Sequence, residues 1–318
     1  LPGFLAAFLP PCQAPALPGT LPSRLPGGQA GDPASGIEGL LSKRTTHACD
    51  GARTMHTIAI ANQKGGVGKT ALAANLGAAL AERGHKVLLV DLDFNAALSS
   101  CMGWELAPED LQIADVLDPE RRLPLREVIR PTRSPLVDVA PAEIALSVLE
   151  ASLPLSQTAW PVRLREALEE VRGRYGVVLL DTHPNIGPLL TMAVVAADSL
   201  IAPVQTHHQA RRAVALLLDH VRRVRRRNGL VDLRCWIVRT MLRRGVAHDA
   251  EVARLLEEEH PGRVLSTIIS LSAVHADTSV PAPGGRSVLW DHPRHPAAEQ
   301  YRMLAEEVEQ RVLQAVPA

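Results

Sequence analysis

Aromatic residues are scarce in this chain: Phe, Trp and Tyr make up 3% of 318 residues. Its core must therefore be built from Leu, Val, Ile and Ala, as parallel sheets covered by helices commonly are. The four cysteines, Cys12, Cys49, Cys101 and Cys235, lie far apart and form no C-x-x-C pair. That spacing excludes a zinc ribbon and a disulfide framework, suits a reducing cytoplasm, and leaves Cys101 and Cys235 as packing residues. No apolar run is long enough to cross a bilayer. Net charge is also missing, since 34 basic residues balance 34 acidic ones. With 46% hydrophobic residues, there is apolar content for one large domain or two small ones.

Residues 1–54 differ from everything after them. They are crowded with Pro and Gly and show neither helical nor strand periodicity, so they are expected to be disordered. Their apolar start lacks a basic n-region and is broken by prolines, which argues against a signal peptide. Met55 directly precedes the first strand, and residues 1–54 read as translated upstream sequence. Residues 55–318 then form one α/β domain of ordinary size.

The organising stretch is HTIAIANQKGGVGKTALAANLGAALAERGHKVLLVDLD, His56 to Asp93. Thr57 to Ala61 is an apolar run closed by Asn62 and Gln63, a buried strand ending at a turn. Gly65, Gly66 and Gly68 permit positive φ and let backbone N–H groups face inward as a nest for phosphate oxygens. Lys69 and Thr70 open a helix whose N-terminus adds unpaired N–H groups and partial positive charge. Lys69 is placed to reach the β and γ phosphates and Thr70 to ligate Mg²⁺, so Gly65, Gly66, Val67, Gly68, Lys69, Thr70 and Ala71 form a candidate P-loop. A glycine turn with two solvated lysines is the competing reading. Leu72, Leu76 and Leu80 form a stripe for packing on the sheet, and Gly84 is placed to end the helix. Strand Lys86 to Val90 delivers Asp91 and Asp93 at its carboxyl end, where open α/β sheets bind ligands.

KGGVGKT resembles the deviant Walker A box of the ParA/MinD family of P-loop ATPases, closest to the ParA-type, Soj-like partition ATPases. Gln63 stands where the ordinary box has its first glycine, and Lys64 is added. The resemblance implies a mostly parallel twisted sheet flanked by helices and a slow, switch-type ATPase using ATP and Mg²⁺. It further implies that Lys64 reaches across a dimer interface to the partner's nucleotide. Asp93 would orient or activate the attacking water and Asp91 would support the Mg²⁺ shell. The family's D-x-D-P-Q-G reads DLDFNA here, with Phe94 and Asn95 in place of Pro and Gln. Tyr175 to Asp181 has the form of a Walker B strand, with Asp181 holding Mg²⁺ through water. His183 follows within DTHPNIG, where the family commonly has D-C-P-P-S-L-G; it senses the γ-phosphate or is a surface or packing histidine.

Further strands are expected at Leu136 to Ala142, Ser199 to Val204, Leu233 to Thr240 and Val264 to Ile269. Helices are expected around Leu111 to Leu117, Ile144 to Leu153, Arg163 to Arg174, Ala250 to Glu259 and Pro296 to Leu313. The most unusual composition lies between His207 and Arg244, which holds eleven arginines against Asp219 and Asp232. Ala213, Leu217, Val221 and Val224 share one helical face, leaving Arg211, Arg212, Arg222, Arg223 and Arg226 opposite, with Arg225 and Arg227 flanking the stripe. Such a face is either merely solvated or a contact for nucleic-acid phosphates.

With the resemblance, the expected DNA surface is Arg222, Arg223, Arg226, Arg243 and Arg244. The expected partners are a second copy in an ATP-dependent homodimer, non-specific DNA and a ParB-like activator, with no membrane and a cytoplasmic, nucleoid-associated location. The switch would partition or position a plasmid, chromosome region or other cargo. The alternatives are a MinD-like membrane-positioning ATPase and a metabolic P-loop enzyme. The first needs a basic amphipathic C-terminal helix, whereas AAEQYRMLAEEVEQRVLQAVPA is acidic; the second has no need of Lys64.

Overall fold

A computed structural model describes residues 55–156, 159–206, 209–242 and 247–314. The disordered segment expected at 1–54 and the side chains of Arg243 and Arg244 lie outside the described residues. The first half runs β1 (His56–Ile60), α1 (Lys69–Glu82), β2 (Val87–Leu92), β3 (Arg130–Pro131), β4 (Val137–Ala140), α2 (Ala145–Ser152) and α3 (Arg163–Glu169). The second runs β5 (Val177–Thr182), α4 (Pro188–Ala196), β6 (Ser199–Gln205), α5 (Ala210–Arg227), β7 (Arg234–Leu242), α6 (Ala247–Glu259), β8 (Val264–Ser270) and α7 (Pro296–Val308), with shorter helical turns between.

The eight strands form one sheet in the order β3-β4-β2-β5-β1-β6-β7-β8. All neighbours are parallel except the two-residue edge strand β3, which pairs antiparallel with β4. Pro131 is tolerated there because an edge position asks for no ladder N–H. Alternate residues of each inner strand enter opposite layers, as the two-residue period of a strand requires. Val178 and Leu180 of β5 join one apolar cluster with α2 to α6. Val177 and Leu179 join another with α1 and α7. Burial on both faces is why these strands read as continuous Val, Leu and Ile.

α1 is buried on nearly every side rather than along the leucine stripe alone, because α7 covers the face turned away from the sheet. On its other face Gly77 lets α1 approach the sheet closely: a Cβ there would stand 2.8 Å from Leu89 Cδ2 of β2. Gly84, at φ 87°, ends α1 as expected. The expected helix over 163–174 stops at Glu169. The backbone then tightens, with Val171 N–H donating to the Leu168 carbonyl, and Gly173 at φ 85° reverses the chain toward β5.

α7 also closes the open edge of β8. Glu307 accepts hydrogen bonds from Ser266 N at 2.7 Å and Thr267 N at 2.9 Å, and Gln300 accepts from Ser270 N at 2.9 Å. Unpaired strand amides invite association with other strands, and these side chains occupy them. The acidic C-terminal helix is thus integral to the fold.

Candidate functional site

Register brings the chemistry to one level. Ile60 of β1 and Asp91 of β2 both stand opposite Asp181 of β5, so three central strands end together. From β1 the chain enters the glycine loop, where Asn62 organises the turn: its Nδ2 donates to the Pro203 carbonyl at 2.7 Å and its Oδ1 accepts from Lys64 N at 3.0 Å. Gly66 and Gly68 take φ of 71° and 86°, as the nest requires, whereas Gly65 does not have a positive φ. α1 begins with Lys69, and no side chain caps its start. Its first amides are therefore the donor array an anion needs.

Lys69 is buried, and its Nζ lies 3.4 Å from the Lys64 carbonyl oxygen. Burial lowers its pKa, while Asp181 and Asp93 pull the other way. An ammonium held in such a pocket gains strongly from phosphate oxygens. Asp181 is 1% exposed. Its pKa is pushed well up by burial first and by Asp91 second, against the opposing pull of Thr70 and Lys69. The Thr70 hydroxyl stands close enough to temper that charge, yet neither Asp181 oxygen has a hydrogen bond of standard geometry. Buried carboxylates with open lone pairs are rare in folded proteins and suit a bound cation. A hard divalent ion held by one carboxylate and one hydroxyl, with phosphate and water oxygens completing it, fits this donor set.

Asp91 is different. Its Oδ1 accepts from Asp93 N at 3.0 Å, and its Oδ2 from Ser99 N at 2.9 Å and Ser99 Oγ at 2.6 Å. Burial pushes its pKa up to about 6, against those hydrogen bonds. Asp91 therefore ties down the turn after β2, and Asp181 is the carboxylate with open lone pairs. Asp93, just beyond the strand, accepts from Asn95 N and Asn95 Nδ2, both at 2.9 Å. His183 joins this corner, stacked on Phe94 with ring centroids 4.2 Å apart.

A family described as an AAA domain matches residues 55–232. Among curated relatives, the sporulation initiation inhibitor protein Soj of Bacillus subtilis is 34% identical over 251 residues, 79% of this chain and 97% of Soj. The chromosome partitioning protein ParA of Caulobacter vibrioides is 35% identical over 264 residues, 81% of this chain and 95% of that protein. The chain belongs to the ParA/MinD family of P-loop ATPases. Among solved structures, cobyrinic acid a,c-diamide synthase of Mycobacterium smegmatis, with bound ATP analog and magnesium, superposes with a TM-score of 0.70 at 26% identity, covering 83% of this chain and 98% of that one.

Within this ParA-family chain, Lys64 is half-buried on the outer limb of the loop, beside exposed Gly65 and Gly66. The basic face of α5 lies elsewhere. Arg222, Arg223, Arg226 and Arg227 are exposed, and Arg223 pairs with Asp219 at 3.0 Å. Two arginines depart from the expected picture. Arg225 is buried rather than flanking: its Nε donates to the Val231 carbonyl at 2.8 Å and its Nη1 to the Val194 and Ala197 carbonyls. Arg211 is bound to Glu259 of α6. Cys101 and Cys235 are buried, and burial raises both thiols to about 12, so they are inert packing groups.

Residue periodicity pointed to neither Thr240 nor Asn75, yet both support the loop. Thr240 Oγ1 donates to the Val67 carbonyl at 2.8 Å, fixing the P-loop from the end of β7. Asn75, on α1, accepts from Val288 N at 2.7 Å and Ser287 Oγ at 3.0 Å, anchoring the GRSVLWD segment to the P-loop helix. A threonine at the carboxyl end of an apolar strand was the available signal for the first; an amide inside an apolar helix was the signal for the second.

Proposed function

We propose that this protein is an ATP-driven dimerisation switch that associates with DNA and positions a large cargo, such as a plasmid or chromosome region. The carrying observation is the KGGVGKT loop wrapped on the start of α1 with the buried Asp181 carboxylate behind it. ATP with Mg²⁺ is the ligand this arrangement suits, and the nucleotide and magnesium bound by the related synthase support the choice. Bound Mg²⁺ would neutralise phosphate charge and polarise the bond to be cleaved. The glycine-loop amides and the ammonium of Lys69 bind and orient the phosphates. Thr70 and Asp181 would hold the ion, and Asp93 would accept a proton from the attacking water. Asp91 serves them by fixing the turn that carries Asp93.

Lys64 lies on the accessible side of the loop, where a cation can reach a nucleotide held by a second copy. Two copies would then carry two α5 faces on one particle, turning weak phosphate binding by Arg222, Arg223 and Arg226 into avid, ATP-dependent binding. Long cations with few amide or aromatic neighbours suit DNA without sequence preference. A ParB-like activator, a cytoplasmic and nucleoid-associated location, and a working domain of residues 55–318 complete the proposal.

The membrane alternative loses support because α7 is spent on covering α1 and β8. No described helix is long and apolar enough to cross a membrane. The metabolic alternative is tested by assaying ATP hydrolysis with and without duplex DNA. The deciding experiment is particle size with ATP, with ADP and without nucleotide, followed by DNA binding in each state. Dimers and DNA binding in ATP alone are expected; an ATP-bound monomer indifferent to DNA would refute the proposal.

A further inference from the structure

Two departures from the family's motifs meet in space. Phe94 replaces the proline after the second aspartate of the β2 box, and His183 follows the β5 carboxylate by two residues. Their rings stack with centroids 4.2 Å apart and planes at 29°, joining the loops that leave β2 and β5. The stack directs His183 Nε2 to 3.9 Å from Asp93 Oδ1. That same oxygen accepts both hydrogen bonds from Asn95, each 2.9 Å long. A histidine that only fills space satisfies its buried nitrogens, whereas His183 Nδ1 is buried with no hydrogen-bond partner. Stacking, rather than hydrogen bonding, sets the plane of this ring, and the edge it presents faces the carboxylate.

We propose that His183 is a positioning residue for Asp93. Clamped by Phe94, its Nε2–H faces Oδ1 and acts with Asn95 to fix the carboxylate plane. Oδ2 is then the oxygen turned toward the attacking water. The inference rests on the reading of Asp93 as the hydrolytic carboxylate. In that step the water oxygen bonds to the terminal phosphorus as the bond to the leaving diphosphate oxygen breaks, and the water proton passes to Oδ2. The gap of 3.9 Å exceeds hydrogen-bond distance by about 1 Å, a span covered by one bridging water or by a small approach of the two loops.

Single-turnover and steady-state ATP hydrolysis by the full chain, with nucleotide affinity measured separately, tests the assignment. Asp93→Ala should lower kcat by about a hundredfold or more. His183→Ala should lower it by about tenfold, the usual scale for an outer partner of a reacting group, with nucleotide affinity unchanged and no further loss in the Asp93→Ala background. Phe94→Leu should reproduce the His183→Ala loss without adding to it. His183→Gln, which places a nitrogen where Nε2 stands, should restore most of the rate, whereas His183→Asn should not. If His183→Ala proves unstable on melting, the Gln and Asn pair decides the matter, and equal rates in that pair overturn the proposal. Full activity in Asp93→Ala overturns the hydrolytic reading and this inference together. A slow Asp93→Ala beside a fully active His183→Ala overturns the positioning role alone. So does a loss of nucleotide affinity at unchanged kcat, which would make the ring a direct ligand of the nucleotide, and so does an independent loss in the Asp93→Ala background.

Discussion

Replacing Asp181 by Asn should stabilise the protein without nucleotide while removing its response to magnesium nucleotide. The side chain is 1% exposed, and neither oxygen has a hydrogen bond of standard geometry, with the Thr70 hydroxyl and Lys69 only partly offsetting its burial. Its pKa is raised well above the ordinary carboxylate value, so the ionised form is penalised in the folded state. A neutral amide of the same shape removes a desolvation cost of about 1–3 kcal/mol. Lys69, itself buried, loses one of the two carboxylates that support its charge. The net gain is therefore placed at about 1–2 kcal/mol, or about 2–8 °C in Tm at about 2–4 °C per kcal/mol for a domain of this size. The sign of the pH dependence follows. A carboxyl whose folded pKa is raised binds its proton more tightly in the folded state, so the wild type carries the full penalty above that pKa. The penalty fades as pH falls toward the unfolded value of about 3.9. The advantage of the variant should thus be largest at pH 8 and shrink at acid pH. Thermal melts across pH, with and without ATP and Mg²⁺, provide the assay. Wild type should gain about 2.7 kcal/mol at a ligand concentration of about 100 Kd, and the variant little or nothing. A variant less stable at pH 8, or one with an undiminished magnesium-nucleotide shift, would refute the reasoning.

Lys69→Ala should weaken nucleotide binding itself, because it removes a buried cation aimed at the phosphates. Lys64→Ala should bind nucleotide as a monomer yet fail to dimerise with ATP; light scattering beside a nucleotide titration separates the two. Replacing Arg222, Arg223 and Arg226 with Glu should weaken duplex binding on every sequence and flatten its salt dependence, by about 0.9 in log–log slope for each DNA phosphate no longer neutralised, while ATP-driven dimers persist. Unchanged affinity would mark that face as merely solvated. Thr240→Val should cost about 1 kcal/mol, or about fivefold in nucleotide affinity, by releasing the Val67 carbonyl, and Thr240→Ser should keep it. A chain beginning at Met55 should fold and bind nucleotide, since the composition of residues 1–54 cannot bury enough apolar surface to offset ordering entropy; loss of either property would overturn that expectation.

Much of this molecule was legible in one dimension because its motifs are local. Positive φ at Gly66 and Gly68, the lysine and threonine opening α1, and the apolar runs of β1, β2 and β5 depend on neighbours in the chain, and the structure keeps them within a residue or two of expectation. What depends on distant chain was not legible. Asp91 and Asp181 look alike in sequence, each ending an apolar strand. Only the fold brings Ser99 onto one of them and leaves the other with no hydrogen bond of standard geometry, separating a turn-fixing carboxylate from one open to a cation. Arg225 looks like its exposed neighbours until packing carries it to the Val194 and Ala197 carbonyls. The α1 stripe likewise gave no sign of a second buried face, since α7 arrives from more than two hundred residues away. Helix and loop chemistry is set by nearest neighbours, whereas burial and the pairing of charges are set by whatever the rest of the chain places alongside.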